Sequence, residues 1–346
     1  MIPDSIHQSF SSCFPAGITT IDSHTAGEYT RLILNGTGPI PGETLARKRE
    51  FFMTSRDSIR RLLTREPRGN RDVVAAAVTE PVSPEADFGL IYMDAQRYPY
   101  LCGHATIGAV TTLVQLGMID KKPDPQGMLS IVVDTPSGPM PVQARVHGST
   151  VREVAFLSVP CFVQDLDVPL EIPDVGVIKL DLVCAGGFFA MVDMDQPVLQ
   201  GRLKTFQDII DLGMEITAQA CRKLKVHHPE RPEVRSIDVT EFYRQSSSSE
   251  GKGYVVYGQN HLDRSPCGTG TAAKLALLRH RGLFPEGAEY TNKGPLDTEF
   301  QALIAAKCSV GNCPAIQVKI CGSAHITGLH CFVRDEHDPF PQCFLL

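Results

Sequence analysis

Two cysteines stand in matching surroundings far apart in the chain, and this pairing constrains the fold more than any other feature. Cys102-Gly103-His104-Ala105-Thr106 and Cys267-Gly268-Thr269-Gly270-Thr271 each open an apolar run of helical character, and the runs end at Gly117 and Gly282 after the same number of residues. The offset, 267 minus 102, is 165 residues. It also lays Leu113 on Leu278 and carries Leu90-Ile91-Tyr92 of a preceding strand onto Val255-Val256-Tyr257. A repeat this long is no short solenoid unit; it implies two similar lobes, each presenting a cysteine at the N-terminus of a helix. A chain of 346 residues is long enough for two cores. The expected lobes are 1–156 plus 323–346, carrying Cys102, and 157–322, carrying Cys267.

Alternation of apolar residues predicts strands at Ile18 to Asp22, Thr30 to Leu34, Val73 to Thr79 and Phe88 to Met93. Leu45 to Leu63 is Arg-rich with spaced apolar residues and predicts an exposed helix whose charges form a solvated face. The Pro-bearing passage Val159 to Pro173 reads as a connection, after which Val177 to Val183 opens a second set of strands before Gly186-Gly187. Phe206 to Leu224 has helical spacing, and the Ser/Gly-rich stretch Gln245 to Gly253 reads as a mobile loop.

Composition narrows the function. A chain 42% hydrophobic and 21% charged, with 29 Gly and 25 Pro, is globular and loop-rich rather than disordered. The net charge of −6 offers no footprint for nucleic acid, so a small molecule is the expected partner. Charges interrupt every long apolar run, and Met1 to Phe14 lacks a leader's cationic and apolar parts, so a cytoplasmic protein without a membrane span is expected. The 11 cysteines, an odd number, favour reduced thiols over a disulfide framework, and apart from Cys102 and Cys267 they are expected to be buried hydrophobes. No C-x-x-C pair occurs, and Cys308 to Cys313 lacks a second cluster, so no metal is expected. Gly268-Thr269-Gly270 lacks the third glycine and the acid of a dinucleotide fingerprint, which excludes NAD.

A cysteine at a helix start meets unpaired N–H groups and the positive end of the helix dipole, which are expected to lower its pKa and make it a base. Two such starts at one cleft would also hold a carboxylate, and Gly103, Gly268 and Gly270 would let the backbone approach it closely. The same donors would stabilise the charge that builds on the carboxylate oxygens when an α-proton leaves. One thiolate removing the proton from one face, and the opposite thiol delivering one to the other, inverts the carbon without a cofactor. Blander readings stand beside this. Asp263 could cap a turn, His104 could pack, and His24 and Glu28 could stabilise a turn. A hydrolase using Cys102 and His104 would need thiol and imidazole two residues apart to meet, which is rare at a helix start, and it leaves Cys267 unexplained. A non-catalytic amino-acid-binding or thiol-redox protein is the further alternative.

With these residues in view, the chain resembles the proline racemase and 4-hydroxyproline epimerase family, within the diaminopimelate-epimerase-like fold. The resemblance spans nearly the whole chain. It rests on Asp22-Ser23-His24-Thr25-Ala26-Gly27-Glu28, Arg71-Asp72, Thr79-Glu80-Pro81, Leu101-Cys102-Gly103-His104 and above all Asp263-Arg264-Ser265-Pro266-Cys267-Gly268-Thr269-Gly270-Thr271. Val159-Pro160, Gly186-Gly187-Phe188 and the passage Gly322 to Gly328 also match. The resemblance implies an α+β fold of two pseudo-symmetric lobes, each a strongly curved, mostly antiparallel sheet or barrel around a central helix, with the site in the cleft between them. It implies that Cys102 and Cys267 are the catalytic pair, that Asp263 meets the ring nitrogen, and that N–H groups of Gly103, His104, Gly268 and Thr269 take the carboxylate. It further implies an imino-acid substrate, no cofactor and a homodimer. The related trans-3-hydroxy-L-proline dehydratases typically carry Ser or Thr in place of one cysteine; this chain keeps both, which favours inversion. Ala105 and the approach Arg97-Tyr98-Pro99-Tyr100 depart from the commoner pattern and bear on which ring substituent is accepted.

Overall fold

The computed structural model describes residues 9–10, 12–285, 287–335 and 337–346. Residues 1–8 and 11, part of the stretch tested above for a leader, lie outside the described residues. Among the described residues no helix is long and apolar enough to cross a membrane.

The strands close into two rings of eight. In the first, Ile18–Thr25, Glu28–Ile33, Ala75–Thr79, Phe88–Met93, Met128–Thr135, Gly138–His147 and Thr150–Leu157 pair in succession. Thr150–Leu157 then pairs with the end of Cys313–Gly322, which runs on into Ala324–Phe332 and back onto Ile18–Thr25. The second ring runs through Cys161–Ile172, Gly176–Cys184, Phe188–Asp193, Ile237–Gln245, Glu250–Tyr257, Glu289–Lys293, Glu299–Val310 and Cys313–Gly322. It closes where Ile316 meets Cys161. Closure leaves neither sheet an unpaired edge. The fold is α+β, with two pseudo-symmetric barrels.

Each ring is antiparallel except at two parallel pairs, and the second of these in each ring positions the site. Parallel neighbours cannot be joined by a tight turn and need a crossover, usually a helix. Phe88–Met93 and Met128–Thr135 are parallel, and the chain between them forms the helix Gly103–Gln115. Glu250–Tyr257 and Glu289–Lys293 are parallel, and between them lies Gly268–His280. Both helices are 13 residues long, offset by the repeat seen in the sequence. Every residue from Gly103 to Leu113 is buried, the signature of a helix enclosed on all sides. Both helices stop before a glycine in the left-handed region, Gly117 at φ 67° and Gly282 at φ 71°.

Several local expectations are corrected. Leu45 to Leu63 is two helices, Leu45–Ser55 and Asp57–Thr64, broken at Arg56. Arg60 is not on a solvated face; it is buried, paired with Asp57 at 2.6 Å and donating to the Asp94 and Ala95 carbonyls. The Pro-bearing passage is itself the strand Cys161–Ile172, which accommodates its irregularity in two register shifts between Val163 and Val168. The supposed mobile loop is a hairpin whose return strand starts at Glu250 and pairs Gly251 with Gln245. Of the nine other cysteines only Cys161 and Cys184 are buried, while Cys13, Cys221 and Cys331 are exposed; all eleven are free thiols.

The two central helices begin against each other. A Cβ on Gly103 would lie 3.2 Å from Gly268 Cα, one on Gly268 would lie 3.3 Å from Gly103 Cα, and both would lie 2.8 Å from Phe156 Cζ. These glycines are therefore required by the approach of the helices to each other and to Phe156, not only by a ligand. Gly268→Ala should destabilise the protein by about 1–3 kcal/mol through overpacking, read as a fall in the urea midpoint.

Candidate active site

Cys102 and Cys267 are the N-cap residues of the two central helices, and they line one cavity together with Gly103, His104, Asp263, Gly268 and Thr269. All seven residues singled out in the sequence are thus brought to one place. The N–H groups of Gly103, His104, Gly268 and Thr269 lie in first helical turns, where no intrahelical acceptor exists. A hydroxyl braces each N-cap carbonyl in the same way: Thr106 Oγ1 donates to Cys102 O at 2.8 Å, and Thr271 Oγ1 to Cys267 O at 2.7 Å.

The backbones of the two cysteines differ. Cys102 is extended at φ −146°, whereas Cys267 has φ 58° and ψ 113°, a conformation that costs a side-chain-bearing residue about 1–3 kcal/mol. A short relay holds it. Asp263 Oδ1 accepts from both the N–H and the hydroxyl of Ser265, and Ser265 Oγ accepts from Cys267 N–H at 3.1 Å.

Their electrostatic surroundings are opposite. Cys102 Sγ lies 3.5 Å from His104 Nδ1, so thiol and imidazole two residues apart do meet here. Burial alone would depress the His104 ring, but the Cys102 sulfur, followed by the Asp263 and Glu28 carboxylates, pushes it up to about 10. At the second helix, burial and then the Asp263 and Glu241 carboxylates push the Cys267 thiol well above its ordinary value. The Thr269 hydroxyl and the Gly270 N–H, which donates to Cys267 Sγ at 3.3 Å, pull the other way and are outweighed. The expectation that a helix start lowers a cysteine pKa is therefore corrected for Cys267, because desolvation and two nearby anions exceed the effect of the dipole.

Glu28 and His261 do not line the cavity, but they form a buried pair beside the segment that leads into Cys267, a contact the sequence did not reveal. Glu28 belongs to the first ring, yet its carboxylate reaches His261 Nε2 at 2.8 Å and accepts from Arg264 N–H at 2.6 Å, just ahead of Cys267. Burial opposes ionisation of Glu28, but His261 outweighs it and keeps the carboxyl below its usual range, while burial and then Glu28 push Asp263 up. Asp72 adds a bridge to Arg264 at 2.7 Å. His24, by contrast, does serve its turn, with Nδ1 accepting from Gly27 N–H at 3.3 Å. Among the described residues no group of three His, Cys, Asp or Glu side chains could hold a metal ion.

The proline racemase family pattern matches residues 20–345. The chain belongs to the proline racemase family. It is 36% identical to the proline racemase of Clostridioides difficile over 335 residues, which is 96% of this chain and 99% of that one. It is 33% identical to the 4-hydroxyproline 2-epimerase of Streptosporangium roseum (94% and 97% covered) and 33% identical to the trans-3-hydroxy-L-proline dehydratase of Azospirillum brasilense (95% and 98%). The crystal structure of a probable proline racemase from Agrobacterium radiobacter K84, with bound carbonate, superposes with a TM-score of 0.89 at 29% identity, covering 95% of this chain and 96% of that one. This family member is accordingly an isomerase of the racemase and epimerase type.

The charge on His104 is directly measurable. Its ring proton resonance should titrate near pH 10 in place of the ordinary value of about 6.5, and Cys102→Ala should move the midpoint down. Because the folded-state pKa is raised, the stability the charged ring adds is complete below about pH 6.5 and is lost as pH rises through about 10.

Proposed function

We propose that this protein inverts the α-carbon of a free cyclic imino acid, with 4-hydroxyproline preferred to proline, by a two-thiol mechanism that needs no cofactor. The observation that carries this reading is that two enclosed helices begin face to face at one cavity, each with a cysteine as its N-cap. The substrate carboxylate lies between the helix starts, on the N–H groups of Gly103, His104, Gly268 and Thr269, where developing negative charge meets preorganised donors. Asp263 takes the ring nitrogen. Cys102, beside His104, acts as the base, and Cys267 acts as the acid. Cys102 takes the α-hydrogen as a proton, the electron pair passes into the carboxylate system, and Cys267 gives its proton to the opposite face. The product leaves the two sulfurs in exchanged states, ready for the opposite epimer. The lobes 1–156 plus 323–346 and 157–322 close over this site and exclude water.

Arg97 supports the choice of a hydroxylated ring. It lines the cysteine cavity and an adjoining pocket. Its Nε pairs with Asp94 at 3.2 Å and its Nη1 donates to the Asp238 carbonyl at 3.0 Å, fixing the guanidinium 5.3 Å from the centre of the Tyr257 ring. Among the described residues Nη2 has no hydrogen-bond acceptor, so it can donate to a ring hydroxyl while the neighbouring Val74, Pro99 and Phe189 contact the ring carbons. Dehydration of trans-3-hydroxy-L-proline is the second reading. Similarity to the Azospirillum dehydratase favours it, and the presence of a second thiol weighs against it.

Proton NMR in heavy water with L-proline, trans-4-hydroxy-L-proline and trans-3-hydroxy-L-proline, each alone, tests the reaction. Loss of the α-proton signal with appearance of the epimer is expected for trans-4-hydroxy-L-proline. Elimination from the 3-hydroxy compound alone would replace inversion by dehydration, and no exchange in any of the three would refute the proposal. Cys102→Ser and Cys267→Ser should each abolish inversion, and full inversion in both would defeat the mechanism. Arg97→Met should lower kcat/KM for trans-4-hydroxy-L-proline about tenfold relative to L-proline, the loss of one hydrogen bond to a charged donor worth about 1.5 kcal/mol. An unchanged ratio would remove Arg97 from substrate selection.

A further inference from the structure

Behind Cys267 lies a buried ion pair that the reaction does not use. Lys274, on the second central helix, and Glu241, on strand Ile237–Gln245, have side chains with no exposure, and Nζ lies 3.4 Å from Oε1. Among the described residues neither Glu241 oxygen accepts a well-formed hydrogen bond, while Lys274 also donates to Asn292 Oδ1 at 2.8 Å. A buried pair so incompletely satisfied is poor evidence of a stabilising role, since an apolar pair of similar size would do as well or better. The chain nevertheless makes room for it. A Cβ on Gly253 would lie 2.8 Å from Glu241 Oε1 and 3.1 Å from Lys274 Nζ. A Cβ on Gly270 would lie 2.5 Å from Glu241 Oε2 and 3.2 Å from Cys267 Cβ, so carboxylate and cysteine face each other across a glycine. Gly270 is also the residue whose N–H donates to Cys267 Sγ.

The first lobe has no such pair. The helix offset places Ala109 opposite Lys274, and strand pairing places Val78 opposite Glu241, because Val78 pairs Leu90 as Glu241 pairs Val255. Where the first lobe has His104, the second has Thr269. The duplicated scaffold therefore sets a cation beside one cysteine and a carboxylate beside the other.

We propose that Glu241, tethered by Lys274, is a positioning residue whose negative charge keeps Cys267 in the thiol form and so breaks the symmetry between the two catalytic cysteines. This deepens the reading given above and rests on it for the role of Cys267 as proton donor. The charged and titratable groups around the pair are Lys274 on the helix, Asp263 in the segment before Cys267, Tyr290 on the neighbouring strand Glu289–Lys293, Tyr243 on Glu241's own strand, and Cys267 itself. Burial pushes Glu241 up to about 7 against the opposing pull of Lys274, and burial pushes Lys274 down against the pull of Glu241. Above about pH 7 the carboxylate is charged and acts fully on Cys267.

The test is alkylation of the whole enzyme by iodoacetamide over a pH series, with each cysteine followed separately by mass spectrometry. In the unaltered protein Cys267 should label only on the alkaline side. Glu241→Gln should move its midpoint down by about one pH unit or more, giving about tenfold faster labelling near neutrality, and should leave Cys102 labelling unchanged. Glu241→Gln/Lys274→Met, which strands neither charge, should also speed Cys267 labelling and provides the comparison if the single variant folds poorly. An unaltered Cys267 profile in a folded variant would overturn the proposal, as would a parallel change at Cys102, which is what a merely structural role predicts. Labelling does not require turnover. Failure to epimerise any imino acid would therefore count against the proposed reaction, and an unmoved Cys267 midpoint against Glu241.

Discussion

The approach of two helix N-termini to each other across Phe156 is the constraint around which the molecule is organised. Each start carries unpaired N–H groups and the positive end of a dipole, so placing two of them in contact is electrostatically unfavourable unless an anion lies between them. The architecture enforces that contact. Parallel strand pairs oblige the chain to cross over, the barrel interiors receive the crossover helices, and the two closed rings share the strand Cys313–Gly322, which binds them into one body. Gly103 and Gly268 then permit a separation that no other residue would allow. A carboxylate is the natural counter-charge for two such helix starts.

Duplication supplies geometry but not chemistry. Inversion needs one group that accepts a proton while the other gives one, and two identical thiols in identical surroundings would have no reason to differ at rest. The surroundings are not identical. His104 is held as a cation against Cys102, whereas Asp263 and Glu241 surround Cys267 with negative charge. The differences are concentrated at a few positions of the repeat, His104 against Thr269, Ala109 against Lys274 and Val78 against Glu241, while the helices, their terminal glycines and the bracing threonines are kept. Symmetry is retained where shape matters and abandoned where proton affinity matters.

The features legible in the sequence were those that repeat or alternate. The fixed offset between the cysteine boxes carried the paired helices and the facing thiols, because both depend on short contiguous stretches. What stayed hidden depends on contacts between distant segments. Lys274 inside Ala272-Ala273-Lys274-Leu275 reads as an ordinary helix lysine, and only the partner on a strand 33 residues earlier (274 minus 241) makes it a buried charge. Glu28 reads as a turn residue, yet its partners His261 and Arg264 lie in the other half of the chain. Arg60 reads as part of a solvated face because nothing local reveals the carbonyls of Asp94 and Ala95 that receive it. The one local signal available is a charge inside an apolar run: Lys274 interrupts Ala272 to Leu278.

Burial is the largest influence raising the pKa of both Cys267 and Asp263. Glu28 of the first ring and Asp72, just ahead of strand Ala75–Thr79, grip His261 and Arg264, and Arg97 joins Asp94 to the Asp238 carbonyl. These contacts are polar, and Asp94 and Arg97 form part of the cavity wall itself. Hydration would return Cys267 and Asp263 toward their ordinary values and weaken every charge interaction in the cleft. The exclusion of water that raises the Cys267 thiol also strengthens the effect of the Asp263 and Glu241 carboxylates on it, so burial and charge act in the same direction at this sulfur.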